Sequence, residues 1–118
     1  MQPGQLTPNE FENAILERIA SRTRSLRPVI GRLHVLSREF TGVGSFTNFR
    51  PDPSLRDAEL GDQQLGLDGL IVVPSVPNGM GAVLMCTDGC PTMLETFTYG
   101  DDLWDGTFDG FSIEKPDD

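Results

Sequence analysis

The sequence predicts an α+β domain: one N-terminal helix, or two, packed on an antiparallel sheet of five to six short strands. Three observations carry this expectation. An N-capped stretch with apolar residues at helical spacing opens the chain. From His34 the side-chain period switches from helical to two. Asp88-Gly89 then joins two runs that read as a long hairpin.

The first helix is predicted over 8–22. Thr7 stands at the N-cap, Pro8 at N1 and Glu10 at N3, with Leu6 and Phe11 as a hydrophobic staple. Phe11, Ala14, Ile15 and Ile19 form its apolar stripe. A short second helix is expected over 25–32, where Leu26, Val29 and Ile30 keep helical spacing and Pro28 fits only a first turn.

Residues 34–41 and 45–49 read as a hairpin around Gly42-Val43-Gly44, with Phe46 and Phe49 on opposite faces. Pro51 and Pro53 end that run. Residues 63–73 alternate as one strand, with Gly69 as a bulge, and 74–79 read as a loop. The central hairpin follows, with strands over 82–86 and 92–99. Two turns fit it: a three-residue loop Thr87-Asp88-Gly89, or a two-residue Asp88-Gly89 turn. Only the first makes Cys86 and Cys90 cross-strand neighbours; the second sends them to opposite faces. A last strand is expected over 111–115.

A length of 118 residues suits a single α+β domain over 1–118. No apolar run is long enough to span a membrane and no secretory signal is visible, so a cytoplasmic setting is expected. Eighteen acidic against nine basic residues, a net charge of −9, argue against nucleic acid and favour a basic protein partner. Two cysteines and one histidine are too few for a zinc site of sulfur and imidazole ligands. No cofactor and no metal are expected. The phosphate-binding loop is also missing, since neither Gly42-Val43-Gly44 nor Gly79-Met80-Gly81 opens a helix.

Two groups of candidate site residues emerge. Arg38 lies between Leu36 and Phe40, and Glu95 shares a parity with Met93, Phe97 and Tyr99. The Thr92, Leu94, Thr96 and Thr98 side reads as solvated, which puts Glu95 on the buried side. Two opposite charges with the same misfit are expected to form an ion pair or line one polar pocket. The second group is the acidic, aromatic run that begins at Tyr99 and contains Asp101, Asp102, Trp104 and Asp105. Its spacing does not match a calcium loop. An exposed Trp104 ringed by acid would grip a basic protein; a Trp104 folded inward would close the core instead.

Residues 37–44 (SREFTGVG) with Phe46-Thr47, and 93–101 (MLETFTYGD) with Trp104, resemble motifs of a group of small bacterial proteins. That resemblance implies a bacterial setting and a shared fold, and no activity. In general character such proteins are similar to immunity proteins, which block a partner toxin. The leading expectation is a non-enzymatic domain that binds a basic protein. A small-molecule or enzymatic pocket at Arg38 and Glu95 is the alternative, and a self-associating homodimer a third.

Overall fold

The computed structural model describes residues 7–115. The first helix, α1, spans Glu10–Ala20, and Asn9 rather than Thr7 caps it. The Asn9 side chain accepts the Glu12 amide at 2.8 Å, and the Glu12 carboxylate accepts the Asn9 amide at 2.8 Å. The capping box is therefore real but begins two residues later than expected, with Glu12 at N3 in place of Glu10. Asn caps at least as well as Thr, and this frame leaves Pro8 outside the helix. The Leu6 half of the staple lies outside the described residues. Phe11, Ile15, Leu16 and Ile19 are buried on the helix's inner side, each contributing on the order of 2 kcal/mol of apolar transfer.

A 3-10 turn, Arg24–Leu26, leads into a one-turn helix, α2, over Arg27–Ile30. Pro28 occupies its first turn, where the missing amide costs no hydrogen bond. Leu26 and Val29 are buried.

Seven strands follow: β1 Val35–Phe40, β2 Gly44–Phe49, β3 Gln63–Gly66, β4 Leu70–Val73, β5 Val76–Thr87, β6 Cys90–Thr98 and β7 Ser112–Glu114. They form one antiparallel sheet in the order β1-β2-β6-β5-β4-β7, with β3 also paired to β5. The α+β fold with a helix on an antiparallel sheet is as expected. The extra strand arises because 63–73 breaks in two. Gly69 has φ +141°, and the Glu114 carbonyl of β7 lies 2.5 Å from where a Cβ would stand. No other residue fits that approach. Both halves still run along the same edge of β5.

The expected loop over 74–79 shrinks to Pro74-Ser75. Val73 pairs with Val76, and the ladder skips to Ile71 opposite Met80, so Asn78-Gly79 form an irregularity within β5. At the other end of β5, Thr87 pairs with Cys90. The turn is thus the two-residue Asp88-Gly89, with φ of +51° and +81°. Positive φ at both positions is what a right-twisted hairpin favours, and it rules out the three-residue alternative. Cys86 and Cys90 consequently lie on opposite faces, and both are free thiols.

Cross-strand neighbours share a face, so the register defines two surfaces. The inner face carries Arg38, Thr47, Leu94 and Leu84 in one row. The core of α1, α2 and Trp104 packs here. The outer face carries Glu39, Phe46, Glu95 and Val83 in the next row.

Candidate functional site

Glu12 is the acid that Arg38 answers. Arg38 Nε donates to Glu12 Oε2 at 2.7 Å and Nη2 donates to Oε1 at 2.7 Å, a two-pronged grip. Thr47 Oγ1 donates to Oε2 at 2.8 Å, and the Asn9 amide completes the set. Arg38 Nη2 also donates to the Thr7 carbonyl at 3.0 Å. The sheet supplies Arg38 and Thr47 from adjacent strands in direct register; the first turn of α1 supplies Glu12 and Asn9. Burial pushes the Glu12 carboxyl pKa up. The hydrogen bonds from Arg38, Asn9 and Thr47, with the charge of Arg38, outweigh that and hold it below its usual 4.5. The bond to Glu12 in turn raises Arg38.

This corrects the expected pairing of Arg38 with Glu95. Arg38 and Glu95 occupy successive rows of the register and so point to opposite faces of the sheet. The polar cluster has no room for a substrate either. Both Glu12 oxygens are engaged, and the hollow beside it measures about 10 Å³, space for about one water. The cluster fastens helix to sheet. Sequence reasoning missed Glu12, although a signal was present. Glu12 shares its side of the helix with Ile15, Leu16 and Ile19, and Asn9-x-x-Glu12 is a capping box.

The assignment of the faces of β6 is also reversed. Leu94 and Thr96 are buried on the inner face, while Met93, Glu95 and Phe97 are half-buried on the outer one. Threonines suit the interior because their hydroxyls find local partners. Thr96 Oγ1 and Ser45 Oγ lie 2.6 Å apart, and Thr98 Oγ1 donates to the Asp102 carbonyl at 2.8 Å. The outer face brings together Phe46, Val83, Met85, Met93 and Phe97, all only half-buried. Tyr99, 43% exposed, meets Phe97 edge to face at 5.6 Å. Phe97 and Tyr99 lean over Gly81, where a Cβ would collide with both rings. Glu95 sits within this surface, between Phe46 and Val83 in its row. None of the three ion pairs among the described residues includes it.

The acidic run after Tyr99 does not present Trp104. Trp104 is 4% exposed. Its indole Nε1 donates to the Thr107 carbonyl at 2.7 Å, and its ring packs 5.7 Å from Phe11 and 5.8 Å from Phe40. Of the two roles open for Trp104, the structure assigns the closure of the core. Burying so large a ring with its N–H satisfied favours the inward position. Tyr99 and Trp104, five residues apart in sequence, therefore serve opposite sides of the sheet. Asp102 is tied to the backbone, its carboxylate accepting the Asn78 amide at 2.8 Å. Asp105 accepts the Thr107 hydroxyl and amide, which lower its pKa. Asp101 is exposed.

The strings behind the family resemblance meet in space. Residues 37–47 lie in the β1–β2 hairpin and 93–98 in β6, which pairs with β2. The Trp104 amide donates to the Gly42 carbonyl at 2.9 Å. No family model, no curated protein and no solved structure matches this chain.

Proposed function

We propose that this chain is a non-enzymatic protein-binding domain whose contact surface is the outer face of the sheet. The carrying observation is the apolar patch of Phe46, Val83, Met85, Met93 and Phe97, with the Glu95 carboxylate inside it and no cation of the described residues paired to it. An apolar centre with one acid in it fits a partner that inserts a Lys or Arg among apolar side chains. Glu39 beside Phe46 and Asp101 after Tyr99 add acid around the patch, and the net charge of −9 speeds encounter with a basic protein. Immunity-type inhibition of a basic partner in the cytoplasm is the biological form of this reading. On the coarser level, no helix among the described residues is long and apolar enough to cross a membrane.

The pocket alternative finds less support, because Arg38 is spent on Glu12 and Glu95 faces the other way. The test is capture from the native host on immobilised wild type, Glu95→Lys, Phe97→Ser and Leu103→Ser. A basic protein held by wild type and Leu103→Ser, lost by the other two and released by salt is the expected result. Equal retention on Glu95→Lys and wild type overturns the reading. So does a stable homodimer that Phe97→Ser splits, since a second copy would then own the face.

A further inference from the structure

Residues 18–32 hold five of the nine basic side chains and none of the eighteen acidic ones. An acidic chain has thus gathered most of its positive charge into the end of α1, the 3-10 turn and α2. The fold makes a hollow there of about 310 Å³, lined by Ser21, Arg22, Arg24 and Arg27. Arg22 is anchored by an ion pair to Asp68 at 2.5 Å. Arg24 and Arg27 are exposed and enter none of the ion pairs among the described residues. Ser21 and Arg22 also line the adjoining cleft, of about 860 Å³, together with Arg18, Lys115 and the acids Glu17 and Asp68.

We propose that this arginine hollow is a binding site for a small phosphate-bearing anion. Three guanidiniums around one hollow offer more N–H donors than the two oxygens of one carboxylate can accept. A phosphate or pyrophosphate supplies three or more oxygens and matches the guanidinium fork. The volume lies at the lower end of small-ligand sites, roughly 300–1,000 Å³. The net negative charge of the chain does not forbid this. At physiological ionic strength charges beyond about 8 Å are largely screened, so a compact anion responds to the local arginines. A long polyanion would also meet the acids elsewhere, which is why the site is assigned a small ligand. The competing explanation is that the arginines merely complement the carbonyl end of α1. That role needs no ligand.

The experiment is an amide-resolved NMR titration of the full chain with sodium pyrophosphate at about 0.15 M ionic strength, where the screening length is about 8 Å. Wild type, Arg24→Gln/Arg27→Gln and Arg56→Gln are compared, and citrate is titrated in parallel. Arg56 pairs with Asp88 at the hairpin tip, lines neither the arginine hollow nor the adjoining cleft, and serves as the control. Saturable shifts centred on 18–32 are expected in wild type and Arg56→Gln. The double variant keeps a folded spectrum and loses affinity by roughly tenfold or more, about 1.4 kcal/mol. Absence of saturation in wild type overturns the proposal. So does equal affinity in the double variant, or citrate binding about tenfold tighter than pyrophosphate.

Discussion

Arg38 on β1 and Glu12 in the first turn of α1 hold each other through two hydrogen bonds of 2.7 Å. The pair joins an edge strand to the helix that covers the sheet. Its acid is also the N3 member of the helix cap. One carboxylate therefore closes the helix start and fixes the helix on the strands.

Arg38→Met should destabilise the fold by roughly 3 kcal/mol, because it strands a buried carboxylate. Glu12→Leu/Arg38→Met together should cost clearly less than the sum of the two single changes. Urea unfolding of the three variants measures this. A loss below about 0.5 kcal/mol for Arg38→Met would mean the pair behaves as a solvated one.

The pH dependence follows from the lowered Glu12 pKa. A carboxyl depressed in the folded state contributes stability that is fully present above its unfolded value, near 4.5, and lost as pH falls through the folded value. Unfolding free energy should thus decline below about pH 4.5. In Glu12→Gln the decline should be shallower, as urea midpoints across the acid range would record.

Trp104→Ala should cost roughly 3–5 kcal/mol, the range for removing a large buried aromatic. Since the chain has a single tryptophan, its emission reports on this site alone. Native fluorescence should be blue-shifted and move red on unfolding. An emission unchanged by denaturant would place the indole in water.

The two thiols should react in order. Burial, with a smaller contribution from Cys90, pushes the Cys86 pKa up to about 11, and its side chain is 3% exposed. Cys90 is half-buried beside Pro51 and Pro53 in an open hollow of about 300 Å³. Native protein near neutral pH should take one alkylating group, at Cys90, and a second only when denatured. Mass spectrometry of the digested protein decides it.

Much of the architecture was legible because it is written locally. The helix near Phe11, the period-two runs from Val35 and the Asp-Gly turn each depend on a few neighbouring residues. Even the helix start missed by only two residues, since Thr7 and Asn9 both satisfy capping rules, and the bonds of Glu12 to Arg38 and Thr47 accompany the later frame. The candidate site was legible in part. Glu95 was singled out as a charge among apolar residues, and it is one. Its face was misread because threonine looks polar in a sequence, whereas Ser45 and Thr98 show how a partner removes that polarity.

By itself the sequence determined the α+β class, with helix before strands, the acidic balance and the apolar stripe of α1. Only the tertiary structure decided that Arg38 belongs to Glu12, that Trp104 turns inward and that Glu95 lies on the outer face. The physical reason is strand register. Side chains alternate along a strand, so which parity is inner depends on partners far away in sequence. No local rule contains that choice; it is made when α1 packs onto one side of the sheet.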